Sequence, residues 1–339
     1  MPGIEPVLIV PYMWIGDFVR SHSVVKLLRA QMPGRPVDML TSTLCAPLVD
    51  YMPGVRKCIV SDLPRGRLAL RQQKALADRL RGEGYGQALV MLRTWKSALA
   101  PFLAGIPRRT GFAGEGRLLL LNDLRWGERS LERMIDRMGA LALPKGAQLP
   151  ADWPLPELVV PADEIAKWRS RQGLRDGGGA VVTLAPGAVG PGKAWPPGHY
   201  AELARLLTAQ GINVWVIGGP RETAIAAQIA EAAGPLARNL TGDDLRNAIL
   251  ALRATTAAVT NDSGLMHIAA ALGTPTIAIF GPTSPRLWAP LNPLAAMIEP
   301  PEEKSFADVR DRRTADITPA QVMDAVRRVL DGKLLDGKL

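Results

Sequence analysis

Short apolar runs alternate with longer amphipathic stretches along this 339-residue chain, and a proline-rich break divides the alternation in two. A run of four to six apolar residues between polar turns reads as a strand buried on both faces. A following stretch with 3.6-residue periodicity reads as the helix that crosses back to a parallel neighbour. Val7–Val10 is the first such run. A loop over 11–15 and a helical pattern over 16–30 follow it, and Pro33-Gly34 stops that pattern. Then come a strand over 37–40, a helix near 44–52, a strand near 57–60, a basic amphipathic helix over 67–81 and a strand over 87–92. Residues 147–161 hold Pro150, Pro154, Pro156 and Pro161 and read as a linker. The alternation restarts with a short helix over 162–172. Strands over 180–185, 214–218, 257–260 and 276–280 then alternate with helices over 198–210, 222–233 and 264–272, and a last helix covers about 319–330.

The expected fold is therefore α/β, with two doubly wound, Rossmann-like domains facing a central cleft. The expected division is 1–150 and 163–317, joined by 151–162 and closed by a helix and tail over 318–339. The last residues, 331–339, repeat Asp-Gly-Lys-Leu and read as a frayed end.

Charge separates the halves. Residues 1–150 carry 22 Lys and Arg against 12 Asp and Glu, a net of +10, whereas residues 151–339 carry 19 against 20, a net of −1. The basic field belongs to the first half and attracts phosphates of any kind: nucleic acid, anionic lipid headgroups or phosphorylated sugars. Aromatic residues make up 5% of the chain, too few for a base-stacking platform, and no base-edge readers stand out, so a nucleic-acid partner is not expected. Two cysteines, Cys45 and Cys58, lack CxxC spacing, and three histidines are too few for a zinc cluster. The N-terminus lacks the features of a secretory signal, and no apolar run approaches the ~18–20 residues that span a bilayer. A cytoplasmic protein is expected, resting peripherally on the inner face of an anionic membrane.

Four segments carry chemistry. The first is Met13-Trp14-Ile15-Gly16-Asp17, between the first strand and its helix. Gly16 permits close approach of a ligand to the backbone. A carboxylate in a first helical turn suits either a general base, taking a proton from a hydroxyl, or a plain helix cap. The second runs from Ala185 through Gly187, Gly192 and Lys193 to Trp195-Pro196-Pro197. Its glycines and lysine sit at phosphate-loop spacing. A magnesium-binding phosphate loop needs Ser or Thr after the lysine, however, and Ala194 stands there, followed by prolines that keep the chain extended. What remains is a glycine-rich loop whose lysine can neutralise a diphosphate, or a surface turn.

The third segment is Asn261-Asp262-Ser263-Gly264-Leu265-Met266-His267, a strand-to-helix turn. Free amides from Gly264 onward make an anion site, Asp262 can accept bonds from sugar hydroxyls, and His267 lies one turn in. The fourth interleaves cations and aromatics: Arg93, Trp95 and Lys96, then Arg108 and Arg109 before Gly111-Phe112. It reads as a phosphate-recognising wall or as a solvated basic face.

Together these segments resemble the ADP-heptose:lipopolysaccharide heptosyltransferases, glycosyltransferase family 9. The resemblance runs over nearly the whole chain and rests on Trp14–Asp17, on Trp95–Ala98 with Gly105–Gly111, on Pro186–Ala188 with Lys193 and His199-Tyr200, on Asn261–His267 and on Asp316–Pro319. Gly114–Arg117 followed by Leu121–Arg125 is more like the branch that adds the second heptose. The resemblance implies a GT-B fold and an inverting transfer from ADP-heptose to the heptose I of the lipopolysaccharide inner core, with no obligatory metal or cofactor. It implies Asp17 as base and Lys193 as the charge that meets departing ADP. Gly187, Lys193, Glu222, Asp262, Ser263, Gly264, Leu265 and His267 become the donor-binding set, and Trp14, Gly16, Arg93, Lys96, Arg109 and Arg117 the acceptor-binding set. Ala194 departs from the basic residue that often follows the donor-loop lysine. Alternatives are the first heptosyltransferase acting on Kdo-lipid A, a same-fold transferase using another nucleotide sugar, and, from another class, a two-domain nucleotide-sugar epimerase.

Overall fold

The computed structural model describes residues 4–64, 66–174, 179–242, 244–301 and 308–332. It divides into two compact units, up to Glu157 and from Leu158 onward, a division inside the proline-rich segment. The repeat expected as a frayed tail lies largely outside the described residues.

The first unit runs β1 (Val7–Val10), α1 (Ile15–Arg20), α2 (His22–Gln31), β2 (Val37–Thr41), α3 (Ala46–Val49), β3 (Val55–Val60), α4 (Leu70–Arg81), β4 (Gln87–Val90), α5 (Trp95–Leu103), β5 (Arg108–Phe112), β6 (Asp123–Arg125) and α6 (Met134–Ala140). Its six strands are parallel, in the order β3-β2-β1-β4-β5-β6. Every residue of β1, β2 and β4 is buried, as continuous apolar runs require. Leu8, Val10, Ala88 and Val90 pack on Leu76 and Leu80 of α4 and on Ala98 and Ala100 of α5.

The second unit runs α7 (Ala162–Arg171), β7 (Val181–Ala185), α8 (Pro197–Thr208), β8 (Asn213–Val216), α9 (Thr223–Ala233), β9 (Ala237–Asn239), α10 (Leu245–Arg253), β10 (Ala257–Asn261), α11 (Gly264–Ala271), β11 (Thr276–Ile279), α12 (Pro285–Trp288), β12 (Ala295–Ile298) and α13 (Pro319–Leu330). Its sheet is also parallel, in the order β12-β11-β10-β7-β8-β9. Renumbered within the unit, this is the same winding as the first. One face buries Val182, Leu184, Val214, Val216 and Val259 under α8, α9 and α13.

In both sheets the winding direction reverses beside the first strand, between β1 and β4 and between β7 and β10. Loops leaving a doubly wound sheet part at such a point, and the crevice at the strands' carboxyl ends takes ligands. No helix among the described residues is long and apolar enough to cross a membrane.

Three sequence expectations change in detail. The helix expected over 16–30 breaks at Ser21, whose hydroxyl donates to the Phe18 carbonyl at 2.5 Å and competes with the helical ladder. The helix near 44–52 shrinks to α3, and α4 begins at Leu70 rather than 67.

At the end of the first unit, His22 joins two segments of main chain. It is buried; its Nδ1 accepts from the Glu157 amide at 2.9 Å, and its Nε2 therefore donates to the Pro53 carbonyl at 2.8 Å. Burial lowers its pKa below the ordinary histidine value. The unfolded chain thus takes up the proton first, and stability is lost as pH falls through about 6.5, the unfolded value, towards the lower folded one. Urea unfolding at pH 7.5, 6.5 and 5.5 is expected to show this loss at no more than about 1.4 kcal/mol per pH unit, the limit for one proton. His22→Gln is expected to flatten the slope; an unchanged slope would assign it to other groups.

Candidate active site

Most of the residues expected on the donor side gather at the switch point of the second sheet. Asn261 closes β10 fully buried. Its Oδ1 accepts from the Trp195 amide at 3.0 Å and the Tyr200 hydroxyl at 3.1 Å, while its Nδ2 donates to the Pro186 carbonyl at 2.7 Å. One amide side chain thus fixes both ends of the loop that follows β7. Trp195, itself buried, stacks edge-on against Tyr200 at 4.9 Å and donates from Nε1 to the Ile317 carbonyl at 2.8 Å. Thr314 donates to the Ala194 carbonyl at 2.8 Å. Between these tethers lie Gly190 and Gly192, at φ +122° and +72°, a backbone that residues with a Cβ rarely adopt. They carry the chain to Lys193.

Lys193 Nζ lies 2.6 Å from Oδ2 of Asp262, which is 6% exposed. The Thr283 hydroxyl donates to the same oxygen at 2.8 Å. Thr283 lies on the loop after β11, so three loops of one sheet meet at this carboxylate. A buried carboxylate has to be paired, and here it is paired twice. Ser263 next to it caps α11 through its backbone alone; its hydroxyl oxygen is buried with no hydrogen-bond partner among the described residues. Gly264, Leu265 and Met266 open α11, where main-chain amides have no partner inside the helix. His267 is buried one turn in. Glu222 comes alongside from the loop after β8, its Oε2 accepting from the Gly219 amide at 2.8 Å. A Cβ at Gly187 would stand 3.0 Å from the Glu222 carboxyl carbon, and one at Gly218 would stand 2.8 Å from its Cβ. The two glycines make room for this carboxylate.

On the first unit, the switch point holds Asp17. It sits in the first turn of α1, largely buried, with its Oδ1 3.2 Å from Arg20. Gly16 precedes it, and Trp14 before the helix is 55% exposed. Tyr12, at the end of β1, has its hydroxyl pushed up to about 12 by burial, then by the charges of Glu128 and Asp17. Arg93, after β4, pairs through Nε with the buried carboxylate of Glu128 at 2.8 Å. Lys96 lies in the first turn of α5.

The other two acceptor candidates sit differently. Arg117 is wholly buried, and its guanidinium donates to the Phe112 and Leu92 carbonyls; it anchors the loop after β5 and offers no surface for contact. Arg109 lies at the amino end of β5, donating to the Leu120 carbonyl at 2.7 Å and the Ile106 carbonyl at 2.5 Å, and stacks over Phe102. It is at the opposite end of the sheet from Asp17. The sequence reading also passed over Tyr12, Glu128, Thr314 and Thr283. For Thr283 a signal was present: Gly281-Pro282-Thr283-Ser284 follows a buried strand as the donor loop does.

Residues 73–316 match the model of glycosyltransferase family 9 (heptosyltransferase). The chain belongs to that family. This family 9 protein is a glycosyltransferase, and the expectation of two Rossmann-like domains of GT-B type is met by its paired parallel sheets. It is 38% identical to the lipooligosaccharide heptosyltransferase 2 of Haemophilus influenzae, over 86% of its own length and 88% of the relative's. It is 35% identical to the lipopolysaccharide heptosyltransferase 2 of Escherichia coli K12, over 96% and 98%. The solved structure of the E. coli ADP-heptose lipopolysaccharide heptosyltransferase II superposes with a TM-score of 0.87 at 33% identity, covering 97% of this chain and 99% of that one.

Proposed function

We propose that this transferase moves a heptose from ADP-heptose to the heptose I of the lipopolysaccharide inner core. The observation that carries the reading is the likeness to heptosyltransferase 2 enzymes along both chains from end to end. The site's chemistry supports it. The second unit supplies the donor half: the amides at the start of α11 and the Lys193 ammonium suit a diphosphate, Asp262 and Glu222 suit hydroxyls, and the Ser263 hydroxyl, without a partner among the described residues, stands next to Asp262 in the chain. The first unit supplies Asp17 as base, with Trp14, Gly16, Arg93 and Lys96 around the same switch point to receive a phosphorylated acceptor.

In this reading Asp17 takes the proton from the acceptor hydroxyl as its oxygen bonds to the anomeric carbon. The bond from that carbon to the phosphate oxygen breaks on the opposite face, and ADP departs with the electron pair. Lys193 and the start of α11 meet the charge that grows on the phosphate, already in place before the reaction begins. The basic first unit also fits an enzyme working in the cytoplasm against an anionic membrane surface, where its acidic, lipid-linked acceptor would lie.

The test is mass spectrometry of truncated core acceptors after incubation with the protein and ADP-heptose. A gain of one heptose on acceptor bearing heptose I, with ADP released, is the expected result. A gain only on acceptor lacking heptose I would make this the enzyme of the first transfer. Nucleotide release without any acceptor would favour an epimerase, and no reaction would move the search to other donors.

A further inference from the structure

Asp262 Oδ2 has two partners of different kinds: a charge, Lys193, and a neutral hydroxyl, Thr283. Lys193 follows Gly190 and Gly192 on the loop after β7, and its side chain is 25% exposed. Thr283 lies on the loop after β11 and reaches the carboxylate from a neighbouring strand's loop. On the proposed reading, Lys193 has to turn from Asp262 to the diphosphate when the donor arrives, because an ammonium aimed at one anion gives less to another. A 6%-exposed carboxylate then loses its counter-charge.

We propose that Thr283 is a positioning residue for the sugar half of the donor: it keeps Asp262 aimed after Lys193 has left. Its hydroxyl occupies one side of Oδ2, so the carboxylate turns its other oxygen to the sugar hydroxyls. Thr283 acts through Asp262 on the heptose and has no part in holding ADP. This inference rests on the donor reading above, and it separates the sugar from the nucleotide within it.

The experiment compares Thr283→Val, which keeps the shape and removes the hydroxyl, with Thr283→Ser, which keeps the hydroxyl, in the full-length protein. Wild-type transfer from ADP-heptose is established first; its absence would sink the donor reading itself. Thr283→Val is expected to weaken kcat/KM for ADP-heptose by about tenfold to a hundredfold, the range for one hydrogen bond to a charged group. Its affinity for ADP, by calorimetry, is expected to stay within about twofold, since ADP lacks the sugar, and Thr283→Ser to stay within about threefold of wild type. Transfer by Thr283→Val at the wild-type rate would overturn the proposal. So would equal losses for ADP and ADP-heptose, which would mark a general distortion of the loop, or a failure of serine to restore transfer.

Discussion

Asp17→Ala is expected to slow heptose transfer by about 10²–10⁴-fold while ADP affinity stays within about twofold. The first figure is what a positioned general base contributes. The second follows from the fold, because Asp17 belongs to the switch point of the first sheet and the residues proposed for the diphosphate belong to the second. Asp17 also pairs with Arg20, which is buried, so alanine removes one of that arginine's interactions. Asp17→Asn keeps a hydrogen-bond acceptor for Arg20 and removes the basicity. It is expected to fold with a midpoint close to wild type and to be as slow as Asp17→Ala. Single-turnover transfer and calorimetry with ADP separate the two quantities. Wild-type transfer by Asp17→Asn would remove Asp17 from the role of base and leave it as a helix-end partner for Arg20.

Lys193→Ala is expected to cost about 10²–10³-fold in transfer, the loss measured when one preorganised donor to a developing anion is removed. Unlike the change at Asp17 it should also weaken ADP itself. It carries a stability cost, since Asp262 is left buried with Thr283 alone. With Lys193 partly exposed, that cost is about 1–3 kcal/mol, less than for a fully buried pair. Lys193→Met combined with Asp262→Asn removes both charges and should recover most of the stability with none of the transfer. Recovery of transfer in the double variant would mean that the lysine serves only to neutralise its neighbour.

The central strands of both sheets were legible in the sequence because they are buried on both faces and read as unbroken apolar runs. Three outer strands were not. Arg108–Phe112, one in from the edge, and the edge strands Asp123–Arg125 and Ala237–Asn239 carry arginine, aspartate or asparagine, and their pattern merges with that of loops. The same limit misplaced Arg109. Spacing along the chain does not reveal at which end of an unrecognised strand a cation lies, and this one lies at the amino end.

Arg117 shows a different limit. A cation among glycines suggests solvent, but the guanidinium is wholly buried and main-chain carbonyls of Phe112 and Leu92 take its protons. The strand-to-helix turns at Asp17 and Asp262 were found because glycine, carboxylate and helix start coincide there. For Thr283 the loop was visible, as Gly281–Ser284 after a buried strand, but its partner lies 21 positions away and the loop's own pattern does not name it.

The two sheets share one winding, and that repetition bears on how such a chain changes over generations. Each strand hands its chain to a loop at the reactive edge, and each loop can lengthen, shorten or exchange a side chain while the sheet below keeps its register. Loops of the first unit can therefore drift toward new acceptors without disturbing the lysine, aspartate and serine of the second. Duplication of one such unit, followed by unequal change in its loops, is a short route from a fold that binds one molecule to a fold that joins two.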